Sequence, residues 1–130
     1  ISKWTTAGNQ RGYALLANAS GVPQASVSSD GSAFVSVIAG SAISIATWHF
    51  VAARFRPGQE LALFVDGQKY TNTINIPSAI HASTADLTIG AHNGASFFDG
   101  YAAFCFLAGT RVFDATINAI YSYGRHVFGI

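Results

Sequence analysis

Short runs of alternating apolar and polar residues, each closed by a turn signal, dominate this chain. Ala33 to Ile38 sets Phe34, Ser36 and Ile38 against Ala33, Val35 and Val37. That period of two places alternate side chains on opposite faces of a strand. Tyr13 to Asn18 and Ser26 to Ser29 are two earlier β-type runs. Asp30-Gly31 follows them as a hairpin dipeptide, since glycine accepts the positive φ of a tight turn. Gly40-Ser41 breaks the pattern.

The central third predicts the clearest hairpin. Trp48 to Phe55 is rich in aromatic and β-favouring residues and ends in Arg56-Pro57-Gly58-Gln59, a type II turn sequence. Glu60 to Val65 returns, with Leu61, Leu63 and Val65 on one face and Ala62 and Phe64 on the other, so both faces are expected to be partly covered. Asp66-Gly67 then turns the chain into Gln68 to Thr73, a polar strand expected to lie exposed. Asp86 to His92 forms the next run, with Leu87 and Ile89 on one face. The turn Asn93-Gly94 and a long run from Phe97 to Leu107 follow.

Only Asp114 to Tyr123 predicts a helix. Ile117, Ile120 and Tyr121 share one face, Asp114 is placed to cap the first turn, and Gly124 to stop it. About eight strands at spacings of roughly 8–12 residues, with one short helix near the C-terminus, predict an all-β, antiparallel sandwich or barrel. There is no internal repeat, low-complexity tract or interdomain linker.

Composition narrows the function classes. Half of the 130 residues are apolar and 13% are aromatic, which excludes intrinsic disorder. Only 10% are charged, against about 25% in an average soluble protein. The surface is therefore expected to be covered by Ser, Thr, Asn, Gln, Gly and Ala. A net charge of +1 gives no field to hold a polyanion, so nucleic acid is not an expected partner. No apolar run approaches the roughly 20 residues of a membrane span; the longest, Phe97 to Ala108, is interrupted by Asp99 and Gly100. The lone Cys105 lies among Ala103, Phe104, Phe106 and Leu107 and reads as a small buried hydrophobe.

The order of motifs resembles a known family. Trp48-His49-Phe50-Val51-Ala52 followed by Leu61-Ala62-Leu63-Phe64-Val65-Asp66-Gly67 resembles the "W-h-x-V-A … l-x-L-Y-V-D-G" hairpin of laminin-G-like modules. Leu87-Thr88-Ile89-Gly90 resembles their "L-x-I-G" strand, and Phe98-Asp99-Gly100-Tyr101 their "F-x-G-x-I". Phe113 to Tyr121 is similar to their closing helical turn, and Ser2-Lys3-Trp4 with Gly8 to Leu15 to their opening strand pair. Openings of this kind are familiar from phage virion and bacterial surface proteins. The resemblance spans nearly the whole chain. It implies the concanavalin A-like lectin/glucanase superfamily and a jelly-roll sandwich of two antiparallel sheets.

Two departures from the family pattern matter. Relatives usually carry another strand before "S-K-w", whereas this chain starts at Ile1. Residues 1–130 therefore read as one laminin-G-like domain of a longer chain, its N-terminal edge covered by an upstream segment, another domain or another chain. Where many relatives have acidic residues after "F-x-G-x-I", this chain has Ala102-Ala103-Phe104. That weakens the transfer of calcium-linked roles to this strand.

Catalytic chemistry finds little support. Glycoside hydrolysis usually needs two carboxyl groups about 5–10 Å apart. Here the single glutamate is Glu60, and no two of the six acids lie within about five residues of each other. No G-x-S-x-G elbow or phosphate-binding glycine loop is present, and the four histidines show no zinc-ligand spacing. The expected class is not an enzyme. No cofactor or metal is expected; calcium alone is left open, with Asp30 and Asp99 as the acids to examine first.

Binding chemistry remains. Aromatic faces stack on sugar C–H surfaces, and amide or guanidinium groups hydrogen-bond pairs of hydroxyls. Two loops combine such groups: Gly8-Asn9-Gln10-Arg11 near Trp4 and Tyr13, and His92-Asn93-Gly94 near Phe97. Asn9, Arg11, Tyr13, His92 and Asn93 are candidate ligand contacts. Tyr70 reads equally as an exposed contact or a cross-strand packing partner, and Trp48 reads as core. The leading expectation is a non-catalytic module of a larger extracellular or virion-surface protein that binds glycan or another cell-surface ligand. The alternative is a structural domain that decorates or cements a capsid or tail, its partners being other chains of the assembly, copies of itself included.

Overall fold

A computed structural model describes residues 1–130. Strands β1 (Ser2–Thr5), β2 (Gln10–Ala17), β3 (Pro23–Val27) and β4 (Val35–Ile38) are followed by β5 (Val51–Arg56), β6 (Glu60–Val65) and β7 (Gln68–Asn72). Three two-residue strands come next, β8 (Leu87–Thr88), β9 (Ala91–His92) and β10 (Ser96–Phe97), and helix α1 spans Asp114–Phe128. The larger sheet has the order β4-β3-β2-β1-β8, the smaller β5-β6-β7, and β9 pairs only with β10; every pairing is antiparallel. The all-β, antiparallel, concanavalin A-like sandwich with one C-terminal helix is thus the fold.

The core follows from the alternation. Ala25, Val27 and Val37 of the larger sheet pack with Ala39 against Leu61 and Leu63 of β6, with Tyr13, Leu15 and Tyr70 at the margin. The opposite face of β6 is also covered. Ala62 and Phe64 meet Ile117 of α1, flanked by Phe50 and Ala52. The type II turn is present, Gln59 N–H donating to the Arg56 carbonyl at 3.0 Å with Gly58 at φ 64°.

Several sequence expectations are corrected. The strand over Asp86 to His92 is interrupted at Gly90, where φ is 78°. The run from Phe97 to Leu107 forms strand only at its first residue, because no sheet edge takes up the rest. Tyr101 (87% exposed), Phe104 and Leu107 therefore face water, and Cys105 is exposed rather than buried. Trp48 is 40% exposed; it lies before β5, outside the core, against the Phe128 ring. Helix α1 runs through Gly124 and stops at Gly129, the left-handed residue with φ 72°. Asp114 is not its cap. It sits in the first turn, bound to cations of the small sheet.

Candidate ligand-binding cleft

An irregularity in one strand pair shapes the outer face of the larger sheet. Lys3 pairs with Tyr13 but Trp4 pairs with Arg11, so β2 carries one extra residue, Gly12. Such a bulge reverses the alternation of side chains. Tyr13 and Leu15 point to the core, while Arg11 joins Ala14 and Leu16 on the far side. There Trp4, Thr6, Arg11, Ala14, Leu16, Gln24, Ser26, Phe34 and His92 line a half-open cleft of about 240 Å³.

Rings and hydrogen-bonding groups meet in this cleft. The Trp4 indole is only 8% exposed, with Phe34 edge-on at 5.2 Å between centroids and His92 at 5.7 Å. Edge-to-face pairs of this kind add about 0.5–1.5 kcal/mol beyond area burial. On the floor, Gln24 Nε2 donates to Ser26 Oγ at 3.0 Å and Ser36 Oγ at 3.2 Å, and the two hydroxyls lie 2.8 Å apart. Arg11 Nη1 donates to the carbonyls of Gly31 and Ser32, which tethers the guanidinium to the β3–β4 loop. His92 Nδ1 is buried without a protein partner. Burial, and secondarily the nearby N-terminal charge, hold its pKa below the usual histidine value.

The candidate residues from the sequence divide into three groups. Arg11 of β2 and His92 of β9, far apart in the chain, converge on the cleft. Asn93 lies beside it, its Oδ1 accepting the Thr6 N–H at 2.8 Å, and Asn9 occupies a tight turn at φ 54° with its side chain outside the lining. Tyr13 and Tyr70 pack against the core; burial raises the Tyr13 pKa. Trp4, Gln24, Ser26 and Phe34 line the cleft and were not candidates. The signal that could have found them is the alternation of Gln24, Ser26 and Phe34 opposite the apolar Ala25, Val27 and Val35.

Asp30 and Asp99 carry the calcium question. Asp30 Oδ1 accepts from Ser28 Oγ and from the N–H groups of Ser32 and Ala33. The Ser32 hydrogen bond first, then the others, hold its pKa below the carboxylate norm. That oxygen already organises its loop. Asp99 is exposed, and neither acid belongs to a group of three or more His, Cys, Asp or Glu side chains. Calcium wants six to eight oxygens, most of which backbone carbonyls and water would have to supply at either acid.

Two further constellations are brought together by the fold. Lys69 Nζ donates to Glu60 Oε2 and Asp114 Oδ2, both at 2.9 Å, and Arg54 bonds the same two carboxylates. Burial alone would raise the Glu60 pKa, but the hydrogen bonds from Lys69 and Arg54 outweigh it and hold the group below its usual value. A hydrolytic acid needs the opposite, a carboxyl that keeps its proton, and neither carboxylate lines the cleft. The cluster clamps α1 to the small sheet.

Ser44, His49 and Asp66 form the second constellation. Ser44 Oγ lies 3.0 Å from His49 Nε2, and His49 Nδ1 lies 2.6 Å from Asp66 Oδ2. A hydrolytic triad needs Nε2 to accept from the serine. Here Nε2 is also 3.2 Å from the Ser44 carbonyl oxygen, and none of the three residues lines the cleft. Asp66 Oδ1 accepts the Phe50 N–H at 2.8 Å. The three residues pin the loop before β5 to the β6–β7 turn, away from the cleft lining.

Two antiparallel sheets face to face, with the helix on the smaller one, define a concanavalin A-like sandwich. The Laminin_G_3 family model, described as concanavalin A-like lectin/glucanases superfamily, matches residues 1–119, and the chain belongs to that family. Laminin G-like domains are generally non-catalytic binding modules. No curated protein and no solved structure matches the chain. No helix is long and apolar enough to cross a membrane.

Proposed function

We propose that this chain is a non-catalytic recognition module of a larger extracellular or virion-surface protein, and that it holds a saccharide in the outer cleft of the larger sheet. The observation that carries this reading is the convergence of Phe34 and Trp4 with Arg11, Gln24, Ser26 and His92 in one cleft. An apolar ring edge beside a few fixed polar groups suits a sugar, which offers C–H faces and hydroxyl pairs. At about 240 Å³ the cleft is smaller than the roughly 300–1,000 Å³ of drug-sized sites, so it fits one ring of a longer chain.

Glycan-array binding by the 130-residue chain tests this, with Phe34→Ala and Gln24→Ala as cleft variants. Binding that falls at least about tenfold in either variant, near 1.4 kcal/mol, supports the reading. Absence of binding by the folded chain overturns it. Binding is expected to persist in EDTA; loss would return calcium, and Asp30 and Asp99, to the account. Reducing-sugar assays on the bound glycans are expected to show no turnover.

A second reading, a structural domain of a capsid or tail, is favoured by one observation. Phe97, Phe98, Tyr101, Phe104, Phe106 and Leu107 are all exposed within one stretch. Exposed apolar side chains grouped this closely along the chain suit an interaction site. Under this reading other chains of the assembly cover it.

A further inference from the structure

The charge of the cleft narrows the class of saccharide, an inference that rests on the reading above. Arg11 is the one permanent cation among the lining residues, and none of them is acidic. The ion pairs of the molecule involve His49, Arg54, Arg56 and Lys69, never Arg11. Only Nη1 of Arg11 bonds to protein, through the Gly31 and Ser32 carbonyls. That tether fixes the guanidinium plane and leaves the Nε–Nη2 edge without a protein partner. Two parallel N–H groups on such an edge match the two oxygens of a carboxylate. Gln24 uses Nε2 on Ser26 and Ser36, so its Oε1 is left to accept from a ring hydroxyl.

We propose that the cleft recognises an acidic saccharide, in which Arg11 clamps a ring-borne carboxylate while Phe34 and Gln24 hold the ring itself. A charge-assisted pair in a half-open site contributes more than a neutral hydrogen bond and weakens with salt. A free anion or an acidic peptide would use Arg11 but not the ring contacts.

Calorimetric titration of the full chain with a panel of uronic- and sialic-acid oligosaccharides, each beside its carboxyl-reduced counterpart, tests the proposal. At least one acidic member is expected to bind about tenfold or more tighter than its reduced form, the preference shrinking at high salt. Arg11→Gln should abolish the preference, so that the acidic and reduced forms bind alike. Arg11→Lys, which keeps charge but not the parallel donors, should lose most of it; thermal melts confirm that both variants fold. Equal binding of acidic and reduced forms overturns this inference and leaves the saccharide reading standing. Acid preference that survives Arg11→Gln, or equal binding of a triglutamate peptide, also overturns it. Binding of no sugar at all overturns the saccharide reading itself.

Discussion

Arg11 and Tyr13 stand two positions apart on β2, and alternation alone would put them on one face. The bulge at Gly12 separates them, one to the cleft and one to the core. Both are legible in the sequence as interesting residues, yet their division is not, because a bulge depends on the partner strand. Gly31 is a second residue of this kind. Its φ is 80°, and an added Cβ would lie 1.7 Å from the Asn9 carbonyl oxygen, so a backbone clash joins the strain of the left-handed region. Gly31→Ala is therefore expected to cost more than about 3 kcal/mol, against about 1 kcal/mol for Gly58→Ala, where strain acts alone. Urea-unfolding midpoints of the two variants check the ordering.

Glu60 carries a pH prediction at the same scale. Its folded pKa is depressed from the ordinary 4.5. The unfolded chain then takes up its proton first as pH falls, so the stabilisation is complete above the unfolded value and is lost through the folded one. Unfolding free energy should decline below about pH 4.5, and Glu60→Gln should flatten that decline. An unchanged acid limb in the variant contradicts the assignment.

At the scale of elements, the hairpin of β5 and β6 was the most legible part of the chain. Glu60–Val65 has the expected bounds, and its two apolar faces are covered as alternation requires, one by the larger sheet and the other by α1. Helix α1 was legible in its first half only, where Ile117 is buried. Its second half is held by the Trp48–Phe128 contact, with Tyr123 and Val127 in water, so no apolar stripe marked how far it would run. Ile117→Ala is expected to destabilise by about 2–4 kcal/mol, and Tyr123→Ala by less than about 1 kcal/mol, both read from thermal unfolding. The run after Phe97 was misread because β propensity reports a fit to a pleated surface, and this stretch pairs with none of the edge strands.

The molecule as a whole exposes more surface than its mass requires. Folded monomers of 13.6 kDa have about 6,600 Å² of accessible surface, whereas this chain has 7676 Å². The excess, about 1,100 Å², exceeds the roughly 800 Å² that one partner contributes to a standard interface. Phe98, Tyr101, Phe104, Phe106 and Leu107 form the densest group of exposed large apolar side chains along the chain. If assembly contacts use this stretch, sedimentation should show association that grows with concentration, and Phe104→Lys with Phe106→Lys should shift it towards monomer. Monomer at every concentration would remove the support for the structural reading. The two readings use different surfaces, so one result does not decide the other.

The two tryptophans give the most direct test of the binding account, since Trp4 lies in the cleft and Trp48 against the C-terminal helix. Proton–nitrogen spectra of the chain, recorded while a bound oligosaccharide from the array is titrated in, resolve their indole N–H signals. The account predicts that the Trp4 signal moves to saturation while that of Trp48 stays in place. Saturation with Trp4 unmoved, or with Trp48 alone shifting, would contradict it.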